Sequence, residues 1–167
     1  LGLAAPSGFG KTTFCKILAG YEQPDEGQVL LDGKPLSEYK GYCPVQLIWQ
    51  HPQEAVNPRR KMKTVLEEGG VLDERLIHGL GIEKEWMERY PGELSGGELQ
   101  RFCIARALGE KTSFLLADEI TAMLDLITQS QIWNFLLEEV RSREIGLLVV
   151  SHSEPLLQRI CTGRIQL

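Results

Sequence analysis

Short apolar runs alternate with amphipathic stretches along this chain, and the alternation predicts its secondary structure. Apolar runs of four or five residues have the length of strands, and continuous runs are typical of strands buried on both faces. We predict strands at 1–4, 28–31, 45–49, 114–117, 147–150 and 163–167. Helical spacing of apolar residues predicts helices at 11–19, 98–108, 127–141 and 153–160, with more polar helical stretches between 60 and 89. Strands that alternate with helices indicate an α/β fold with a mainly parallel sheet.

Composition and charge narrow the class of protein. The chain has 167 residues, 43% of them hydrophobic, which is ordinary for one globular domain. The formal net charge of −5 argues against a general nucleic-acid surface, so we expect no nucleic-acid partner. No apolar run approaches the roughly 20 residues that span a bilayer. The four cysteines are widely spaced without a C-x-x-C pair, which indicates reduced thiols in a cytosolic protein and no disulfide or zinc framework.

A glycine-rich loop follows the first predicted strand. Residues 5–13 read APSGFGKTT, which fits the phosphate-loop pattern G-x-x-x-x-G-K-[ST] except that Ala5 occupies the first glycine position. Gly8 and Gly10 allow the backbone turn that points N–H groups at phosphate. The pattern assigns Lys11 to the β- and γ-phosphates and the Thr12 hydroxyl to Mg²⁺. The alternative is a glycine-rich turn that only caps a helix. The predicted nucleotide-binding residues of this loop are Ser7, Gly8, Gly10, Lys11, Thr12 and Thr13.

A second glycine motif, LSGGE at residues 94–98, stands directly before an amphipathic helical segment. Ser95, Gly96 and Gly97 place a hydroxyl and bare backbone N–H groups at a helix start, which is a ready anion site. Because a phosphate motif lies upstream, we interpret the anion as a phosphate.

Two acidic residues end a continuous apolar run. Asp118 and Glu119 follow the predicted strand 114–117, and ligands of α/β sheets collect at the carboxyl ends of strands. Asp118 is our candidate Mg²⁺ ligand, through water, and Glu119 our candidate general base for an attacking water. Taken alone, such an acidic pair is more often a helix cap.

Together these motifs resemble the nucleotide-binding subunits of ATP-binding-cassette (ABC) transporters, and the resemblance covers nearly the whole chain. It implies a P-loop NTPase fold with a catalytic core at 1–50 and 113–167 and a small helical signature subdomain at about 51–112. It gives Gln50 contact with Mg²⁺ and a role in sensing the membrane subunit, and it makes His152 the switch histidine at the γ-phosphate. Residues 122–125 resemble the loop that crosses to the partner subunit, with Asp125 as its acid.

In this family one domain holds half of each ATP site. The resemblance implies that one chain binds ATP and Mg²⁺ through Lys11, Thr12, Gln50, Asp118, Glu119 and His152, and that Thr12, Gln50 and Asp118 serve the metal. Ser95, Gly96 and Gly97 of a second ATPase subunit would close the site. ATP hydrolysis would then drive transmembrane permease subunits, with the chain peripheral on the cytoplasmic face of the membrane.

A narrower resemblance concerns the loop after the predicted strand 45–49. Residues 50–59, QHPQEAVNPR, are similar to the segment of oligopeptide, dipeptide and nickel importer ATPases. This resemblance implies import of peptides or nickel complexes. It also implies a homodimer or heterodimer of ATPase chains and a substrate-binding receptor protein as a further partner.

The sequence departs from the family pattern at three points, and the segment expected before the phosphate loop bears on an alternative function. Ala5 replaces a glycine, Ile120 stands where the family has proline, and we find no aromatic residue upstream of the loop to stack on adenine. Because the sequence begins in a predicted strand at 1–4, we expect the first strands of the sheet to be missing. The alternative is a truncated, weakly hydrolysing or non-hydrolysing ABC domain that acts as an interaction or regulatory module. A soluble ABC protein of translation or DNA repair would carry two cassettes or a coiled-coil insertion, and neither is present in the sequence.

Overall fold

The computed structural model describes residues 1–4, 6, 8–70 and 73–166. Its strands are β1 (Gly2–Ala4), β2 (Leu30–Leu31), β3 (Lys34–Pro35), β4 (Val45–Ile48), β5 (Phe114–Asp118), β6 (Gly146–Val150) and β7 (Arg164–Gln166). Its α-helices are α1 (Lys11–Leu18), α2 (Met62–Glu68), α3 (Glu74–Gly79), α4 (Gly96–Ala107), α5 (Leu126–Ser142) and α6 (Glu154–Ile160). Four short 3₁₀ helices lie at Leu36–Glu38, Pro52–Glu54, Lys84–Glu88 and Pro91–Glu93.

Five strands form one sheet in the order β4-β5-β6-β1-β7, and every neighbouring pair is parallel. The register places Ile48 opposite Ala117 and Asp118 opposite Val150. In a parallel sheet the carboxyl ends of the strands meet at one edge. The segments that follow β1, β4, β5 and β6 therefore begin at the same edge, and the predicted α/β fold is confirmed.

The sheet separates two apolar clusters, because successive side chains of a strand point to opposite faces. Leu115 and Ala117 of β5 belong to the larger cluster, which includes residues of α2 to α6. Leu116, between them, packs with Cys15 of α1 in the smaller cluster on the other face. The run 114–117 is thus covered on both sides as predicted, except that Phe114, its first residue, is 44% exposed.

Arginine side chains tie the segment between β4 and β5 to the rest of the protein. Arg75 of α3 makes two hydrogen bonds to the carboxylate of Glu139, which lies on α5 and is 1% exposed. Arg143 donates to the carbonyl oxygens of Leu108 at 2.7 Å and Gly109 at 2.6 Å, just beyond the end of α4. These bonds satisfy carbonyl groups that a helix C-terminus leaves free.

Some strands and helices begin or end at other residues than predicted, because local turns and helix caps decide their ends. The predicted strand 28–31 shortens to β2, which pairs antiparallel with β3 through a turn at Asp32 and Gly33. Both turn residues have positive φ (50° and 77°), as the tight turns of twisted hairpins require. Helix α4 begins two residues before the predicted start because Ser95 caps it. The last predicted strand is observed as β7, and Leu167 lies outside the described residues.

Two further findings concern the predictions from composition. Among the described helices, none combines the length and the apolar character that a membrane crossing requires. All four cysteines are free thiols; Cys15 and Cys103 are buried, whereas Cys43 and Cys161 are partly buried. Burial raises the pKa of Cys15 to about 12 and that of Cys103 to about 11.

Candidate nucleotide site

The phosphate loop leads directly into α1. Gly8 (φ 83°) and Gly10 (φ 78°) both adopt the left-handed conformation that favours glycine, and Gly10 is the residue that caps α1. Because Gly10 has no side chain, the N-cap residue of α1 makes no side-chain hydrogen bond. The helix dipole makes such an N-terminus attractive to anions. The predicted residues Ala5 and Ser7 lie outside the described residues.

Lys11 is the first residue of α1 and is 8% exposed. Its ammonium group donates a hydrogen bond to the carbonyl oxygen of Pro6 at 3.0 Å. The positive charge of Lys11 therefore lies beside the loop, where it would contact a phosphate bound by the loop.

The next side chain joins the loop to β5. The Thr12 hydroxyl donates to Oδ2 of Asp118 at 2.6 Å, and Asp118 is the last residue of β5 and is 2% exposed. A hydroxyl and a carboxylate oxygen suit Mg²⁺, which typically takes one or two carboxylates together with substrate phosphates and water. The donor set therefore fits the predicted ion. Thr13 lies beside this pair on the exposed side of the first turn of α1.

Glu119 follows Asp118 and has the left-handed backbone conformation (φ 51°). Its side chain is 9% exposed. Oε1 accepts from the backbone N–H of His152 at 2.6 Å, and Oε2 accepts from the Ser151 hydroxyl at 3.4 Å. The His152 ring nitrogen Nε2 is 3.7 Å from Oε1. The ends of β5 and β6 thus bring the two predicted catalytic residues together.

Gln50 lies near the same edge of the sheet. It is half-buried and lies two residues beyond Ile48, the last residue of β4. Ile48 pairs with Ala117 of β5, and Glu119 lies two residues beyond Ala117. The predicted residues that would bind one face of the nucleotide form what we call the first half-site. Those of them that the structure describes lie at the carboxyl ends of four strands, although they are spread from position 8 to position 152 in the sequence.

The second glycine motif is a capped helix start. The Ser95 hydroxyl accepts from the backbone N–H of Glu98, and the Glu98 carboxylate accepts from the N–H of Ser95 at 2.7 Å. The N–H of Ser95 holds the pKa of Glu98 below its ordinary value. A Cβ built on Gly97 would lie 3.0 Å from Leu124, so a glycine suits this close approach. No hydrogen bond or ion pair between described residues joins this motif to the phosphate loop.

Asp125 caps α5 in its own chain. One carboxylate oxygen accepts from the N–H groups of Ile127 and Thr128, both at 3.0 Å, and the other accepts from the Thr128 hydroxyl at 2.6 Å. The hydrogen bonds from Thr128 are the main cause of the lowered pKa of Asp125.

Two polar residues near the site are absent from the sequence predictions. Ser151 supports Glu119, and Gln100, which is 3% exposed, donates to the carbonyl oxygen of Trp49 at 3.2 Å. For Gln100, the available signal in the sequence was a glutamine on a largely apolar helix face. Nothing in the sequence around Ser151 distinguishes it from an ordinary helix-entry residue.

Comparison with known proteins supports the reading of these motifs. The family model described as ABC transporter matches residues 1–122, and the chain belongs to this family. The nickel import ATP-binding protein NikE of Rhodospirillum rubrum is 34% identical over 96% of this chain and 65% of its own length. The oligopeptide transport ATP-binding protein OppF of Streptococcus mutans is 31% identical over 95% of this chain and 58% of its own length.

The fold comparison agrees with the family assignment. The dimeric structure of a post-hydrolysis state of the ATP-binding cassette MJ0796, bound to ADP and Pi, superposes with a TM-score of 0.85. It is 24% identical and covers 99% of this chain and 79% of that one, so it shows the fold alone. The predicted resemblance to peptide and nickel importer ATPases is confirmed at the level of sequence. The chain spans less than two thirds of the length of NikE and OppF.

Proposed function

We propose that this chain binds Mg-ATP and hydrolyses it as an ATP-binding subunit of a membrane importer. The observation that carries the proposal is the meeting of Thr12, Asp118, Glu119 and His152 at one edge of the sheet, beside the N-terminus of α1. The relatives named above are ATP-binding proteins of import and transport systems, which supports the same activity.

The loop and α1 would bind the phosphates of ATP. The N-terminus of α1 would attract the phosphate charge through the helix dipole, and the Lys11 ammonium group would supply the opposite charge. Thr12 and Asp118, with Gln50 nearby, are the residues that would hold Mg²⁺, which neutralises charge on the phosphates when bound.

Glu119 is the proposed general base. Hydrogen bonds from His152 and Ser151 orient its carboxylate, so that it can accept a proton from a water molecule that attacks the γ-phosphate. His152 is the proposed contact of the γ-phosphate, because its ring lies beside the same carboxylate. Both residues follow neighbouring strands, whose pairing keeps them in place.

The second half of the site would come from another ATPase subunit. Ser95, Gly96 and Gly97 lie at a helix start that suits an anion, and no hydrogen bond or ion pair between described residues joins it to the phosphate loop of the same chain. A head-to-tail dimer would bring this helix start to the partner's ATP, and the dimeric ATP-binding cassette of similar fold supports this arrangement. Asp125 would lie in the contact between the subunits.

We further propose that the transported substrates are peptides or nickel complexes. Relatives at 31–34% identity are named for nickel, oligopeptide and glutathione import or transport. Permease subunits and a substrate-binding receptor would then be partners, with this chain on the cytoplasmic face of the membrane. The proposed catalytic core comprises 1–50 and 113–167, and the proposed helical subdomain about 51–112.

Replacement of the general base tests the proposed activity. Glu119→Gln should retain Mg-ATP binding and lower phosphate release by about 100-fold or more, the usual contribution of a general base. Lys11→Ala should lose Mg-ATP binding, measured by calorimetry on the folded chain. Glu144→Gln is a matched control, because Glu144 is another glutamate with positive φ (54°), and it should keep full turnover.

Two outcomes would change the conclusion. Equal phosphate release from Glu119→Gln and the native chain would exclude Glu119 as the base. Mg-ATP binding by the native chain without phosphate release, alone or with a partner ATPase chain, would favour the interaction or regulatory module.

A further inference from the structure

A short turn connects the proposed general base to the helix that follows it. Glu119 comes directly after β5, and α5 begins at Leu126. The N–H of Glu119 donates to the carbonyl oxygen of Val150 at 3.0 Å, and its carbonyl oxygen accepts from the N–H of Ala122 at 3.1 Å. Between these two bonds the backbone of Glu119 has a φ of 51°. A glutamate rarely adopts this left-handed conformation, so the surrounding structure must hold it there.

Thr121 anchors the middle of this turn. It is 4% exposed, and its hydroxyl oxygen accepts from the indole N–H of Trp133 at 3.0 Å. Its carbonyl oxygen accepts from the side-chain amide of Gln129 at 2.7 Å and from the N–H of Leu124 at 3.1 Å. Gln129 and Trp133 are one turn apart on α5 and therefore share a helix face. One face of α5 thus holds Thr121 by its side chain and by its backbone.

The bond between Trp133 and Thr121 lies in the interior of the protein. Both side chains are 4% exposed, and an indole N–H is a donor only, so a buried tryptophan needs an acceptor. Within the described residues, that acceptor is the Thr121 hydroxyl. Because neither group regains water when the bond breaks, its loss is costly. The bond therefore restrains Thr121 more strongly than a bond at the surface would.

We propose that Trp133 is a positioning residue for the proposed base, which it keeps in the left-handed conformation through Thr121. The inference rests on the proposed function. In that conformation the Glu119 carboxylate accepts from the N–H of His152 at 2.6 Å and from the Ser151 hydroxyl at 3.4 Å. Without the indole N–H, the turn after Glu119 loses a fixed point, and its backbone can relax to the commoner conformations of an L-residue. The carboxylate would then leave these two donors and the attacking water.

Phosphate release at saturating Mg-ATP tests the proposal with variants of both partners. Trp133→Phe keeps an aromatic ring and removes the donor, and Thr121→Val keeps the shape of the side chain and removes the acceptor. For each we expect kcat to fall about tenfold or more, since a small misplacement of a catalytic group has effects of this size. The Mg-ATP affinity should stay close to the native value, because the phosphate loop lies on other elements. Thr121→Ser keeps the hydroxyl and should keep the native kcat.

Trp86→Phe is the matched control. Trp86 is partly buried in the segment between β4 and β5, and its indole N–H has no hydrogen-bond partner among the described residues, so this variant should keep the native kcat. The Glu119→Gln background gives a second readout. There Trp133→Phe should lower the residual rate by less than about twofold, because the effects of residues that act as a unit do not add. A merely structural role of Trp133 would lower the rate equally in both backgrounds.

The NMR signal of the Trp133 indole N–H reports the bond without any turnover. Its absence from the spectrum of Trp133→Phe assigns the signal. In the folded chain we expect this proton to exchange with solvent about tenfold faster in Thr121→Val than in the native chain, because the acceptor that protects it is gone. In Thr121→Ser the exchange should stay native.

The outcomes separate this inference from the proposed function. A native kcat in Trp133→Phe, unchanged indole exchange in Thr121→Val, or an equal loss of kcat in Trp86→Phe would overturn the role of Trp133 while the proposed function stands. If Trp133→Phe does not fold, Thr121→Val and Thr121→Ser decide the question by the same readouts. If the folded native chain releases no phosphate, alone or with a partner ATPase chain, the proposed hydrolysis fails and this inference fails with it.

Discussion

At the scale of single residues, the proposed metal site depends on a bond between an exposed hydroxyl and a buried carboxylate. Thr12 is an exposed residue in the first turn of α1, whereas Asp118 is 2% exposed. A buried carboxylate is costly unless hydrogen bonds compensate for lost water. The Thr12 hydroxyl supplies such a bond at 2.6 Å. The same two oxygen atoms therefore serve the stability of the chain and the proposed Mg²⁺ site.

Thr12→Val should lower the free energy of unfolding by about 1.5–3 kcal/mol, the usual range for a hydrogen bond to a charged group. The substitution keeps the shape of the side chain and removes the donor. Urea unfolding in the absence of nucleotide measures the effect. Thr13→Val is the control, because this hydroxyl makes no hydrogen bond in the described part of the chain, and it should cost less than about 0.5 kcal/mol. Equal costs for both variants would contradict this account.

At the scale of secondary structure elements, Asp125 carries two tasks. Its carboxylate caps α5 by accepting from two backbone N–H groups and from the Thr128 hydroxyl. The resemblance assigns the same carboxylate to the contact with a second subunit. The cap holds Asp125 at the start of a long helix, so any partner would meet a carboxylate whose position is already set.

The cap makes the stability of α5 depend on pH. Thr128 and the neighbouring N–H groups lower the pKa of Asp125 in the folded chain. A lowered folded pKa contributes stability above the ordinary value near 3.8, and that contribution is lost as the pH falls through the folded pKa. We therefore expect Asp125→Ala to lower the Tm at pH 7 and to differ less from the native chain as the pH falls below 3.8 and through the lowered folded pKa.

Asp125→Asn separates the cap from the charge in the same thermal scans. Asparagine is also a good N-cap residue but does not titrate. It should keep most of the native Tm at pH 7. A gap between Asp125→Ala and the native chain that stays constant as the pH falls well below 3.8 would contradict the role of the carboxylate charge.

At the scale of the whole molecule, an ion pair between the exposed Arg75 and a buried carboxylate links the segment between β4 and β5 to the rest of the fold. Glu139 of α5 is 1% exposed, and Arg75 of α3 makes two hydrogen bonds to it. A buried charge that loses its partner is strongly destabilising. Because Arg75 itself is 58% exposed, Arg75→Leu should lower the free energy of unfolding by about 1.5–3 kcal/mol, the usual range for a hydrogen bond to a charged group.

The double variant Arg75→Leu with Glu139→Leu should recover much of that loss, because it also removes the buried carboxylate that Arg75→Leu leaves without its partner. Urea unfolding of both variants at pH 7 measures the difference. If the double variant were no more stable than Arg75→Leu, the cost would come from packing of α3 and not from an unpaired charge.

The sequence by itself determined the order of the elements, the family and the positions of the two glycine motifs. These features are local: Gly8 and Gly10 allow the left-handed turns, Ser95 and Glu98 form a capping box, and apolar runs define strands. The boundaries differed where short-range hydrogen bonds decide them, as at the start of α4.

Only the tertiary structure decided which of these residues meet and what holds them. Thr12 and Asp118 are 106 positions apart, and Gln100 and Trp49 are 51 apart. Such contacts depend on strand order and helix packing, which no local pattern records. The burial of Glu139 has the same origin, because an exposed glutamate and a buried one look alike in sequence until a partner such as Arg75 is brought beside it.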